Sequence, residues 1–402
     1  MPVIKEKPNS RTKISMIMLV LFLLLLPIST ALSGIIGSIS LLNYIALAFL
    51  VLSAAEVLCS GVITIKKDVL SITAYMTYAL ITCFWSEGFS LNYYFTTFAI
   101  SYAILIMIAC RKYTDQEMKT IKMTILLSAI VVLAATLINI KNTYAGRIVI
   151  AISSKMDPND FGCGTCIILA FLLVDYTNNH RALSIIASLG IVGAVILTGS
   201  RGALLMCAVE FALWFLYALK KDLIRTVLLL SLFVIALVVL FSQLSPELLS
   251  RFSISGLLSS GGSGRSKIWA AGIKKFLQAD PFHMVFGYGH GSFPSAVNYF
   301  GKGRNYPYEA HNIFINSIIE GGIVGTALLV NAFAQSFSVA YRRKNIAGFI
   351  ALAGFFITGL TLDVQSYRIF PIAFVAAVFF ENPNFIACSN RLTGCENESI
   401  SY

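Results

Sequence analysis

Runs of about 17–22 apolar residues recur along nearly the whole of this 402-residue chain. No other feature narrows the fold so far. A bilayer core of about 30 Å needs about 20 such residues per helix. So many runs cannot share one soluble core, and with only 12% of residues charged the surrounding solvent has to be lipid. Backbone polar groups in lipid must be satisfied internally, which leaves helices or closed barrels. The runs are continuous and do not alternate apolar with polar, which excludes the barrel. The expected class is an all-α polytopic membrane protein.

The pattern predicts about twelve transmembrane helices, over 14–31, 39–58, 68–85, 92–110, 120–140, 160–176, 183–198, 203–219, 224–242, 312–340, 346–362 and 367–381. The first run, after MPVIKEKPNSRTK, reads as a signal-anchor rather than a cleaved leader, because no small-residue cleavage pattern follows it. With the N-terminus in the cytoplasm, the inner connections hold 18 lysines and arginines and the short outer ones hold 5. That bias fits both termini inside. The net charge of +11 is therefore mostly a topology signal, not a sign of nucleic-acid binding. The chain divides into helices 1–9 (residues 1–242), an extracytoplasmic loop (243–310), helices 10–12 (311–385) and a cytoplasmic tail (386–402).

The loop is basic and rich in aromatic residues. Within it, Arg265 to Leu277 reads as an amphipathic helix with Ile268, Trp269, Gly272, Ile273 and Phe276 on one face, suited to lying on the membrane surface. The glycine/serine stretch SSGGSG before it is expected to be mobile. Eight cysteines are scattered and none lies in this loop, so no disulfide framework is implied. Cys163 and Cys166 have the spacing of a redox or metal pair but no second pair, and read better as small helix-packing residues.

Arginines on the outer side run against the bias and so invite a functional reading. Arg201, in LTGSRGALL, sits between two apolar runs. It either snorkels to headgroups or clamps a phosphate or diphosphate. Arg265, in GGSGRSKIW, opens a helix whose exposed amides add to its positive field. Arg147, Arg304 and Arg368 are further outer arginines, either substrate-binding or surface cations. His311, in YEAHNIFINSIIEGG, lies where the loop re-enters the membrane, and a histidine serves as base near neutral pH with little tuning. A structural interface histidine is the other reading. Asn312 either orients a hydroxyl or caps the helix. Glu320 falls about 13 Å deeper on a regular helix, on the opposite face, and is expected to bond a neighbouring helix rather than His311.

GYGHGSF, Gly287 to Phe293, has the look of a phosphate-cradling glycine turn, but no strand–turn–helix unit surrounds it. His290 there reads as a loop residue, and four histidines make no metal cluster. Asp157-Pro158-Asn159-Asp160 is a helix start capped by Asn159 or Asp160. In a second reading Asp157 and Asn159 line an outer cavity and contact sugar hydroxyls.

The order of spans, then LTGSRGALL, GRSKIWAAGIKKF with GYGHGSF, and YEAHNIFINSIIEGGIVG, resembles the O-antigen ligase/polymerase superfamily. Asp157-Pro158-Asn159 before the sixth span is also similar. The motifs cover about 155–340, and the rest resembles the family by topology alone. The resemblance implies a membrane glycosyltransferase that acts on undecaprenyl-diphosphate-linked sugar at the outer face of the bacterial inner membrane, with no metal, nucleotide or other cofactor. It gives Arg201 and Arg265 the donor diphosphate and His311 the proton of the acceptor hydroxyl. Arg147, Asn312, Arg304, Arg368, Asp157 and Asn159 are the expected substrate-binding set. The acceptor is another lipid-linked repeat unit in a polymerase, the preferred reading, or lipid A–core in a ligase. A chain-length regulator is an expected partner only of a polymerase. A flippase or secondary transporter is disfavoured, because the two halves show no repeat and the large loop is ill-placed for a two-halves design. A scaffold would not need Arg201, Arg265 and His311.

Overall fold

The computed structural model describes residues 13–35, 40–60, 66–86, 98–111, 113–179, 182–253, 265–297 and 309–379. Its long elements are α1 (Ile14–Leu25), α2 (Leu41–Ser60), α3 (Leu70–Thr82), α4 (Ile100–Cys110), α5 (Asp115–Ile138), α6 (Pro158–Asn179), α7 (Ala182–Leu197), α8 (Arg201–Leu219) and α9 (Leu223–Ser242). Four helices of the connecting segment follow: α10 (Pro246–Phe252), α11 (Arg265–Leu277), α12 (Pro281–Phe286) and α13 (Phe293–Val297). The chain then returns through α14 (Ile313–Arg342), α15 (Ile346–Gly359) and α16 (Phe370–Phe379). Seven helices are long and apolar enough to cross a bilayer, and five shorter apolar helices accompany them among the described residues. All overlap segments expected from the sequence. The chain is a helical membrane protein.

Helix α6 is the centre of the bundle, with 83% of its apolar window buried, whereas the window of α9 is 11% buried and faces outward. Small residues let α6 be central. Gly162 sits so close to Ala203 that a Cβ would lie 2.7 Å from it, and Gly164 abuts Pro27. Cys166 Sγ lies 3.4 Å from Cys207 Sγ on α8. The two sulfurs act as compact packing atoms between helices, the role the sequence suggested for Cys166, and Cys163 is buried on the same helix. Helix α5 begins at Asp115, earlier than its apolar run, because Thr114 and Glu117 form a reciprocal capping box.

Between α5 and α6 lies a two-residue hairpin, β1 (Thr143–Tyr144) and β2 (Arg147–Ile148), with Tyr144 opposite Arg147. Its turn residues, Ala145 (φ 50°) and Gly146 (φ 73°), are both left-handed, as the tight hairpin twist requires. Glycine fits there on a second count: a Cβ at 146 would meet Glu247 at 3.0 Å. The hairpin therefore packs on the start of α10 and holds Arg147 in place.

The described residues of the 243–310 segment are largely helical. Helix α11 spans the range expected, and protein covers the Ile268 and Gly272 side of its apolar face while Ile273 stays 49% exposed. Ile268 is buried with Phe293, Ala310 and Ile319. Gly272 meets Phe293 and Ile315, and Trp269 Nε1 donates to Ala310 O at 2.8 Å. Helices α13 and α14 offer an apolar surface beside it, and burial there stabilises the contact. SSGGSG lies outside the described residues.

Candidate active site

The amino ends of α6, α8, α11 and α14 meet at one end of the bundle with the hairpin, α10 and the α15–α16 connection. Helix starts carry unsatisfied amides and the positive end of the helix dipole, so this end of the molecule favours anions.

Four arginines gather there, all half-buried: Arg147, Arg201, Arg251 and Arg265. Arg147 Nε donates to Thr198 O at 2.7 Å, and its Nη2 to Asn159 Oδ1 at 3.0 Å. Arg201 Nε donates to Arg251 O at 2.8 Å, while Arg251 Nε donates to Gly199 O at 3.2 Å. This reciprocal pair ties α10 to the start of α8. Gly199 (φ 58°) makes the close approach possible, since a Cβ would lie 2.9 Å from Leu248 and 3.0 Å from Arg147. Ser200 caps α8 by accepting from Ala203 N at 3.3 Å.

The electrostatics follow from this crowding. Burial disfavours the charge of Arg147, and Arg251 and Arg265 add repulsion while Asp157 and Tyr367 oppose them. Burial and then Arg201 act the same way on Arg251. Burial and Arg201 also press on Arg265, with Tyr367 opposing. Guanidinium groups stay protonated regardless. The cluster thus holds cations in a partly desolvated place, a cost that a multivalent anion would relieve.

His311 stands two residues before α14 in a left-handed conformation (φ 48°), uncommon for a residue with a Cβ. It is half-buried. Burial first, and then the Arg265 guanidinium, hold its imidazole below the ordinary value of 6.5, with Glu309 and Asp157 opposing. It is therefore neutral at pH 7 and able to accept a proton. Glu309 hydrogen-bonds Asp363, and burial and then Glu309 push the Asp363 carboxyl well up.

The other expected residues are placed as follows. Asn312 caps α14, its Oδ1 accepting from Phe314 N (3.0 Å) and Ile315 N (3.1 Å) and its Nδ2 donating to Leu360 O (3.0 Å). Both ends of its amide are engaged, which is the capping alternative. Asp157, and not Asn159 or Asp160, caps α6, because the helix starts at Pro158 and Asn159 N donates to Asp157 Oδ1 at 2.6 Å. Asp160 instead accepts from Thr30 Oγ1 at 3.0 Å. Arg368 lies within electrostatic reach of Asp160. Arg304 lies outside the described residues. Arg251 belongs to the cluster, although in the sequence it is one of several basic residues of the loop. Its one local signal is a position close behind a span, on a short helix opened by Ser245-Pro246.

GYGHGSF is not a phosphate cradle. Gly287, Gly289 and Gly291 are all left-handed, but they turn the chain against protein. Tyr288 N donates to Ile319 O at 2.8 Å and Gly289 N to Glu320 O at 2.9 Å. Helix α14 breaks its regular backbone at Gly322 (φ 63°), where it meets Val285 and Gly287. Glu320 does not bond His311. Its carboxylate lies 3.2 Å from His290 Nδ1, and it accepts from Gln365 Nε2 at 3.1 Å. Tyr75 OH in turn donates to Gln365 Oε1 at 2.6 Å. These amides and side chains dock the loop onto α3 and α14.

Residues 165–330 match a family model described as O-antigen ligase. This stretch is an O-antigen ligase/polymerase superfamily domain. The matched residues run from α6 into α14 and include Arg201, Arg251, Arg265 and His311. Arg147, Asp157, Asn159 and Arg368 fall outside the O-antigen ligase match; the fold brings Asp157 and Asn159 to Arg147, and Arg368 near Asp160. Among curated proteins, none matches the chain.

Proposed function

We propose that the protein is a surface-polysaccharide polymerase. It moves an undecaprenyl-diphosphate-linked glycan onto another lipid-linked repeat unit at the outer face of the inner membrane. The observation that carries this reading is one end of the bundle holding four half-buried arginines beside a neutral histidine. A donor diphosphate matches the arginines in charge and fork geometry. Arg201 and Arg265 hold it and stabilise the charge that grows on it as the glycosidic bond breaks. His311 takes the proton of the acceptor hydroxyl as that oxygen attacks the anomeric carbon. Arg147, Arg251 and Asn159 keep the arginine cradle in register. Asp157 stands at its edge, where a sugar hydroxyl can be met. No nucleotide or metal is required, because the diphosphate is already a good leaving group.

The orientation belongs to the same proposal. The seven long and five shorter apolar helices make twelve spans, both termini are cytoplasmic, and α10 to α13 sit outside. The lysine and arginine bias supports it.

A ligase with lipid A–core as acceptor is the second reading, favoured by the description of the matching family. Gene deletion separates the two. Core bearing a single repeat, restored to a ladder by the wild-type gene, identifies the polymerase. Bare core with lipid-linked polymer accumulating identifies the ligase. An unchanged glycan profile in the deletion would remove both.

A further inference from the structure

Helices α6 and α8 start at the arginine cluster and end at a second polar site on the opposite side of the bundle. A cavity of about 260 Å³ opens there, between the ends of α6 and α8 and the start of α9. Tyr176, Asn178, Trp214, Lys221, Arg225 and Leu229 line it. Its volume suits a small polar group, below the roughly 300 Å³ at which pockets for whole drug-sized ligands begin.

The walls are built. Trp214 is fully buried, and its Nε1 donates to Thr177 Oγ1 at 2.9 Å. Tyr217 OH donates to Asn178 Oδ1 at 2.9 Å, which fixes that amide. Lys221 Nζ lies 5.5 Å from the Tyr217 ring centre, a cation–π contact that orients the ammonium. The lining holds one carboxylate, Asp222. Its Oδ1 caps α9 by accepting from Arg225 N at 3.0 Å, and its Oδ2 is 3.8 Å from Arg225 Nε. Two cations against one carboxylate leave the cavity positive. Beside it, α9 turns Leu223 (61% exposed), Ile224 (75%) and Leu228 (66%) outward. That apolar surface suits hydrocarbon.

We propose that this cavity binds the headgroup of an anionic phospholipid, with the phosphate between Lys221 and Arg225 and the acyl chains along α9. A basic pocket among helix ends recognises such headgroups by charge, and the adjoining apolar helix supplies what the tails require. A free anion would gain nothing from α9, so the lipid is the favoured occupant. The site lies at the far end of the bundle from the arginine cluster and does not depend on the transferase reading.

The test is native mass spectrometry of the delipidated full chain, titrated with phosphatidylglycerol or phosphatidylcholine. Wild type is expected to retain one phosphatidylglycerol in preference to phosphatidylcholine. Lys221→Ser with Arg225→Ser is expected to weaken that preference about 30-fold, taking about 1 kcal/mol per cation near a membrane surface. Lys119→Ser with Lys122→Ser removes the same charge from α5 and is expected to leave it unchanged. Phosphatidylglycerol should raise the melting temperature of wild type and not of the pocket variant. Lys221→Ser alone, at a helix end, gives the same test with about a fivefold drop should the double variant fail to fold. The proposal is overturned by equal retention of both lipids, by an equal loss in the α5 control, or by inorganic phosphate displacing the lipid.

Discussion

At the scale of single residues, His311 combines two unusual conditions: a left-handed backbone and a position within reach of Arg265. Asparagine tolerates that backbone better than most residues, so His311→Asn removes the base with little strain. The expected result is a loss of polymer formation of about 100-fold or more at normal membrane levels, the usual scale for a general base. The pH profile carries a second prediction. Burial and Arg265 lower the proton affinity of His311, so its basic form persists as pH falls through 6.5. The acid limb of kcat/KM should therefore lie below 6.5, and His311→Asn should abolish it. Arg265→Gln should move the limb upward, because the repulsive charge is gone. A third prediction concerns Arg251: Arg251→Ala removes its bond to Gly199 O and one cation of the cluster, while Arg201 keeps the Arg251 carbonyl, and should reduce turnover about 10- to 100-fold, measured as lipid-linked polymer per protein. Arg201 and His311 could be singled out in the sequence because each sits beside an apolar run, and Arg265 because it opens an amphipathic helix. Arg251 could not, since its role depends on one carbonyl that only the fold brings to it.

Among the elements, the returning connection shows how local strain is used. GYGHGSF suggests a ligand turn in the sequence because left-handed glycines serve phosphate loops and tight docking equally well. Only the partner decides, and here it is the broken turn of α14 at Gly322. Gly287→Ala would place a Cβ 2.3 Å from the Glu320 carbonyl oxygen at φ 78°, and that oxygen cannot yield because it is backbone. The expected cost is more than about 2 kcal/mol, seen as a lower melting temperature in detergent, with the arginine cluster itself unaltered. The range of α11 was legible from its periodicity. Its partner was not, because an apolar face suits lipid and protein alike, and α13 and α14 are brought to it only by tertiary structure. The Arg147 hairpin is not legible in the sequence for a related reason: Ala-Gly is a weaker turn signal than Asn-Gly, and each strand has two residues.

For the whole molecule, the helical membrane class follows from the apolar runs alone, since nothing else can satisfy their backbone in lipid. Which helix is central does not follow. The α6 sequence is no more apolar than its neighbours, and its central place depends on Gly162, Gly164 and Cys166 fitting against other helices. Orientation carries its own prediction. Alkaline phosphatase fused after Phe252 should be active, and the same fusion after Leu219 should be inactive. The reverse pattern would invert the assignment of sides and move the arginine cluster to the cytoplasm.

The most direct measurement reconstitutes the purified chain in liposomes with undecaprenyl-diphosphate-linked repeat units and follows product length on a gel. The account predicts a ladder from wild type, none from His311→Asn, and an apparent donor KM raised by Arg201→Ala. A ladder of wild-type yield from His311→Asn would contradict it, because the proton of the acceptor hydroxyl would then leave by some other group.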